Sequence, residues 1–365
     1  MRRFRWIVMI LPMVWLLCGT GVAVDLVREQ ADSFGVESVE AALPPAAEEL
    51  LGEVSVSDAQ DPNLLLGKIH DAVFDRSEDL LHSAIRSGAE VLLAALLATV
   101  CGAVANDRLV SSVGVTAIAL VCVKGVSSCA AVGREAMESV VSFSHVLLPC
   151  LCTAAAAGGA WTSAGAKYAA SMLFFDGVIT AERSVAMPMV YTFAGVLIAG
   201  EVTDNAILRS ISGLLRQVLK WTLILITTAF TLYLSITGVL TGTVDAAAVK
   251  TAKTVLSSAL PVVGGIVADA SSALLSGAQI LRNGIGVFGM IAVLAACAVP
   301  YLTLGSHFLV YQIAGGIVTA LGDKRFGGVI KGLGDMFGIL LGMVGSVSVM
   351  LFISVISLMR TVTPG

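Results

Sequence analysis

The stretch of sequence that decides the fold is DLLHSAIRSGAEVLLAALLATVCGAVA, residues 79–105. Its first half mixes charged and apolar residues, whereas residues 91–105 contain no charged residue at all. From there to the end of the chain, long apolar runs recur with few charges between them. A run of about 17–25 apolar residues is long enough to cross a bilayer as a helix. The sequence therefore predicts a membrane domain over residues 89–365.

The composition of the whole chain agrees with this prediction. It is 57% hydrophobic and 13% charged, with a mean hydropathy of +0.92, whereas soluble domains contain about a quarter charged residues. Strands would leave an unpaired edge in lipid, so helices are expected. The 37 glycines favour close helix packing, because lipid supplies no hydrophobic drive between helices. The expected fold is all-α, a polytopic transmembrane helical bundle.

Two segments precede the membrane domain. Residues 1–23 are predicted to be a signal peptide, because three arginines precede an apolar run over 6–17 and small residues follow at 21 and 23. An uncleaved signal anchor is the alternative. Residues 24–88 contain 14 acidic and four basic residues and are predicted to form a short acidic extracytoplasmic segment. It either lies on the membrane or a partner, or is a flexible spacer. Its acidity makes nucleic acid an improbable partner.

About eight spans are predicted from the apolar runs. They cover 89–105, 109–132, 140–158, 159–175, 185–200, 221–242, 285–304 and 334–358. Basic clusters within 209–220 and 324–331 should both face the cytoplasm. This orientation requires 159–175 to cross and 306–321 to be re-entrant or interfacial.

Residues 244–286 do not resemble a plain span. Lys250 and Lys253 lie on the polar side of a predicted amphipathic helix, which Pro261 and the Gly264-Gly265 pair then interrupt. A second helix, rich in small residues, is predicted over 266–281. A broken helix pair of this kind is typical of membrane transport proteins, where it lines a cavity shielded from lipid.

The same region carries a specific resemblance. The sequence Lys250-Thr-Ala-Lys253, the segment 261–265, Asp269 and the segment 282–286 resemble the signature region of the stage III sporulation protein AE family. The signal-like start, the acidic segment and the multiple spans fit the same family. The predicted hinge and passage-lining residues are Lys250, Lys253, Pro261, Gly264, Gly265, Asp269 and Asn283.

The resemblance implies a role in endospore-forming bacteria. It implies a channel- or export-gate-like subunit of the complex that connects mother cell and forespore, needed for late forespore development. The implied location is the mother-cell membrane around the forespore, as a multi-pass protein in the lipid bilayer. The implied partners are membrane proteins of the same operon, including a secretion-type ATPase and ring-forming proteins, and a forespore-side membrane protein.

Two alternatives stay open. One is an autonomous secondary transporter of a small solute, although no inverted repeat is visible. The other is a non-conducting scaffold that recruits ring proteins through residues 24–88. No catalytic motif is visible, so an enzyme is disfavoured and no cofactor is expected. Cys150 and Cys152 with His145 lack a second ligand pair, so no metal site is predicted.

Two further groups of residues are candidates. Gly334, Gly338 and Gly342 recur every four residues and predict a helix face for close packing, either within the chain or between subunits. Ionisable side chains inside spans are costly and often functional. Those in or beside predicted spans are Lys124, His145, Lys167, Asp176 and His307.

Overall fold

The computed structural model describes residues 31, 33–105, 108–259, 264–321 and 324–360, and their side chains except at 103–109, 237–250 and 252–274. Every regular element within these ranges is helical, which confirms the all-α prediction. A 3-10 turn spans Val56–Gln60, and a π-helical turn spans Glu182–Ala186. The helices are α1 Val36–Ala41, α2 Pro45–Leu51, α3 Pro62–Ala105, α4 Arg108–Ala157, α5 Trp161–Ala181, α6 Met187–Val202, α7 Ala206–Ala259, α8 Gly264–Ala320 and α9 Lys324–Met359.

Six helical stretches of the described chain are long and apolar enough to cross a membrane, so the polytopic prediction is confirmed. Each of the eight predicted spans overlaps one of these six stretches. Spans 109–132 and 140–158 both lie on α4. Spans 159–175 and 185–200 lie on one rod formed by α5, the π-helical turn and α6. The charged residues between each pair lower the hydropathy, but Arg, Glu, Ala and Met are good helix formers and continue the helix.

The segment predicted to be re-entrant or interfacial, 306–321, is not a separate element of the described chain. Residues up to Ala320 are the last turns of α8, a single helix of 57 residues. The segment contains several glycines and no proline, and glycine alone lowers helix stability without ending a helix that packs well.

The long helices exceed the thickness of a bilayer. At 1.5 Å per residue, helices of 50 and 57 residues are about 75 and 85 Å long, whereas the hydrocarbon core is about 30 Å thick. These helices are therefore more than twice as long as the hydrocarbon core is thick.

Three helix junctions meet at one end of the bundle, which we call the turn end: α3–α4, α6–α7 and α8–α9. Ser112 Oγ on α4 donates to Val202 O at the end of α6, at 2.8 Å. The Arg325 guanidinium on α9 donates to Glu201 O at 2.5 and 3.1 Å and to Val202 O at 3.2 Å. Both predicted basic clusters begin near this end of the bundle.

Helices α8 and α9 approach each other closely at two glycines near the turn end. A Cβ added to Gly315 would lie 2.9 Å from Lys331 N and 3.0 Å from Gly327 O, and one added to Gly327 would lie 2.8 Å from Gly315 O. The two backbones are therefore in contact, as small residues allow in membrane bundles.

The acidic segment folds onto the bundle in its described part. Val39 and Leu50 are buried, and Val56 N donates to Glu40 Oε1 at 2.6 Å. Leu51 packs with α8 residues such as Ile291. Helix α3 runs without interruption through the predicted boundary between residues 88 and 89. The described part of the segment is therefore structured rather than a flexible spacer.

Candidate functional site

The predicted helix break lies between two described helices. Helix α7 ends at Ala259 and α8 begins at Gly264, so Gly264 and Gly265 are the first two residues of α8. Pro261 lies outside the described residues. Each helix of the predicted pair is the end of a much longer helix, rather than a short helix of its own.

Three charged residues of the predicted passage lie on these two helices. Lys250 and Lys253 lie near the end of α7, and Asp269 lies in the second turn of α8. Their side chains are outside the described set.

Asn283 lies about five turns into α8 and is exposed. Its neighbour Arg282 is buried, and a Cβ added to Gly284 would lie 3.6 Å from Val56 Cγ1. The 3-10 turn of the acidic segment therefore covers α8 beside Asn283.

The predicted glycine face of α9 contacts two other helices. A Cβ added to Gly334 would lie 3.2 Å from Tyr311 Cβ, and one added to Gly338 would lie 3.1 Å from Phe308 Cδ2, both on α8. One added to Gly342 would lie 3.5 Å from Leu223 Cδ1 on α7. These contacts are within the chain.

An open groove of about 460 Å³ lies between α7 and α9. Gly338, Gly342 and Gly345 line it on α9, and Lys220 is the ionisable residue among its described lining. The groove exists because glycines leave no side chain to fill the space between the two helices.

A smaller cavity of about 120 Å³ adjoins this groove and shares Leu223 and Ser346 with it. Glu182 lines the cavity from the first position of the π-helical turn. Its side chain is 3% exposed, and both carboxylate oxygens have no hydrogen-bond partner among the described residues. Single π-helical turns occur frequently at functional sites.

Sequence reasoning missed Glu182. The residues around it interrupt two apolar runs, so it was assigned to the connection between predicted spans at 159–175 and 185–200. Pro188, six residues later, was the available indication. A proline cannot donate a backbone hydrogen bond. Kinks and π-bulges occur where the backbone hydrogen bonds of a helix are interrupted.

Two of the ionisable candidates in predicted spans have structural partners. Lys167 is buried, and its Nζ donates to Ser357 O at 2.6 Å, near the end of α9. A cation is favourable at the C-terminus of a helix. His307 is also buried, and its Nδ1 lies 2.8 Å from Thr303 O, the carbonyl one turn earlier.

The remaining candidates lie on half-exposed or exposed surface. His145 Nε2 lies 3.4 Å from Asp176 Oδ1, which links α4 to α5. Arg183 pairs with Glu138 at 2.8 Å along the same interface. Lys124 is exposed. One ion pair and one histidine–aspartate contact thus link α4 to α5 and the π-helical turn, whereas the carboxylate of Glu182 has no such partner among the described residues.

Comparison with known proteins decides the family. The sequence model of stage III sporulation protein AE matches residues 84–361, about three quarters of the chain. The chain belongs to the stage III sporulation protein AE family. Stage III sporulation protein AE of Bacillus subtilis (strain 168) is 24% identical over 188 residues, which cover 52% of this chain and 47% of the relative. The chain thus aligns with about half the length of that relative. No solved structure matches.

The family match includes the six long helices from the middle of α3 onward. It therefore contains the predicted passage region, the glycine face and Glu182. The part of the acidic segment that precedes residue 84 lies outside the match.

Proposed function

We propose that this sporulation membrane protein is a channel- or export-gate-like subunit of the complex that connects mother cell and forespore. The observation that carries the proposal is the pair formed by α7 and α8. Helices of 54 and 57 residues end at Ala259 and begin at Gly264, on either side of the predicted bend. Both are far longer than a bilayer crossing requires.

The polar character of residues 244–286 supports a shielded location. Lys250, Lys253 and Asp269 are too costly to face lipid, and interrupted helices persist at membrane depth only where protein or water surrounds them. The contact between Val56 and Gly284 supplies protein cover on one side of α8. In the proposed complex, partner subunits cover the other side.

The proposed partners are those that the family resemblance implies. They are membrane proteins of the same operon, a secretion-type ATPase, ring-forming proteins and a forespore-side membrane protein. The proposed location is the mother-cell membrane surrounding the forespore. The folded acidic segment is the extracytoplasmic surface through which ring proteins would dock.

A secondary transporter is the second candidate, and one observation favours it. Glu182 is a buried carboxylate without a partner among the described residues, and such groups occur in proton-coupled transport. A transporter would work without the other subunits, whereas the proposed gate depends on them.

Stiffening the bend tests the proposal. Gly264→Val and Gly265→Val should each abolish the formation of heat-resistant spores while the protein still accumulates in the membrane, because the bend needs backbone freedom. The matched control is Gly316→Val on the same helix, where an added Cβ meets nothing within 4 Å. Normal sporulation in both hinge variants would contradict the gate.

A further inference from the structure

We infer that Glu182 is a proton-binding site: its carboxyl group is neutral in the conformation described here and exchanges its proton through the adjoining cavity. The inference goes beyond the proposed function and does not depend on the passage at residues 244–286.

The surroundings of Glu182 do not support a negative charge. Glu182 is the only ionisable residue among the described residues that line the cavity, and Thr222 and Ser346 supply the hydroxyl groups. Ser346 Oγ already donates to Met343 O at 2.8 Å. An isolated carboxylate without donors is very costly in such a place, and the group instead takes up a proton.

Charged side chains on the neighbouring elements lie outside the lining of the cavity. On the rod of Glu182 itself, Arg183 pairs with Glu138 of α4. On α7, Lys220 lines the groove rather than the cavity. Helix α9 lines the cavity with Met343 and Ser346, neither of which is charged. No described group from a packed element therefore neutralises a carboxylate in the cavity.

A proton fits this site better than a metal ion. Hard cations take about six or more oxygen ligands, whereas the described side chains of the cavity offer one carboxyl group and two hydroxyl groups in an otherwise apolar lining. A proton needs only the carboxyl oxygen.

The cavity also provides the route for exchange. A volume of about 120 Å³ is enough for several waters, because one water needs roughly 10–15 Å³ on this measure. Leu223 and Ser346 form the boundary with the open groove. Loss of the proton would draw water into the cavity and loosen the contact of the π-helical turn with α7 and α9.

Carbodiimide labelling tests the inference on the full-length chain, purified in detergent and in lipid nanodiscs. Dicyclohexylcarbodiimide adds to protonated carboxylic acids in apolar surroundings. We expect it to modify Glu182 in preference to Glu138 and Asp176, which are paired and more exposed. Labelling of Glu182 should fall as the pH is raised, by about tenfold for each pH unit once the carboxylate is the main form. Sodium chloride and choline chloride should give equal labelling.

Three labelling results would overturn the inference. They are absence of label at Glu182, labelling that does not change with pH, and protection by sodium at constant pH, which would indicate a metal-ion site. Glu182→Gln keeps the shape of the neutral acid and should lose the label while the apparent melting temperature stays within a few degrees of wild type at low pH. Its melting temperature should exceed that of the wild type at high pH. A variant that melts lower than the wild type at every pH would contradict a neutral Glu182.

Discussion

Two buried glutamates lie on the same helical rod, and their carboxylates differ in whether they have a partner. Glu201, at the turn end, is 7% exposed, and its carboxylate lies 3.2 Å from Arg209 NH1. Glu182, one bilayer thickness or so away along the rod, is as buried but has no partner among the described residues. Ion pairs and backbone contacts hold the helices together at the turn end, whereas an unfilled volume lies beside Glu182. The comparison teaches that two equally buried carboxylates on one rod can differ in whether a cation stabilises their charge.

The largest expected effect is at the turn end. Gly327→Val should destabilise the bundle by about 3 kcal/mol or more, because the added side chain would meet the backbone of α8 at Gly315. Unfolding in mixed micelles measures this change. Gly213→Val is the control, since nothing lies within 4 Å of its Cβ position. Equal stability of the two variants would show that α8 and α9 do not touch there.

The next effect concerns Arg325, which joins α9 to the end of α6. Arg325→Ala should cost about 2 kcal/mol, because the carbonyls of Glu201 and Val202 would lose their donor. The same unfolding measurement applies. Arg134→Ala removes an exposed arginine and should change stability by less than about 0.5 kcal/mol. If the two arginine variants lose equal stability, Arg325 does not stabilise the turn end.

The direct comparison is between two isosteric substitutions. Glu201→Gln should cost about 1–2 kcal/mol near neutral pH, because it removes a charge-assisted hydrogen bond to Arg209. Glu182→Gln should cost nothing, because the neutral acid it replaces has no ionic partner. Denaturation of both variants side by side measures the difference. The distinction fails if Glu182→Gln is the more destabilising of the two.

The smallest effect is expected at the groove. Gly342→Ala would bring a methyl group to an ordinary 3.5 Å contact with Leu223. It should change stability by less than about 1 kcal/mol, with a gain in helix propensity included. A strong loss of stability would mean that α7 and α9 pack more tightly than the groove indicates.

The fold class could be predicted because hydropathy and charge fix where helices can lie in lipid. The number of helices could not, because hydropathy alone does not mark helix ends. The segment GREAMES at residues 133–139 interrupts an apolar run but consists mostly of helix formers, so α4 continues through it. The turns that do end helices include the three-residue connection after Val202, where Asp204 has a positive φ.

The candidate site was predictable only in part. A four-residue repeat indicated Gly334 and Gly338, which do lie against another helix. The close approach between Gly315 and Gly327 joins residues on two different helices, and a periodic pattern within one helix cannot indicate such a pair. Glu182 became recognisable only when four helices, α5, α6, α7 and α9, placed apolar residues around it.

Cysteine accessibility along residues 248–257 tests the proposed passage most directly. The background must first lose its native thiols, beginning with the exposed Cys101. Single cysteines then replace Lys250 and Lys253 on one helical face, and Ala248 and Ala252 on the opposite face. A membrane-impermeant thiol reagent is applied during sporulation, with and without the other proteins of the complex.

The account predicts labelling at positions 250 and 253, protection at 248 and 252, and loss of this pattern when the partners are absent. Protection at all four positions would contradict a water-filled passage. Labelling of one face without the partners would contradict a gate that the complex assembles.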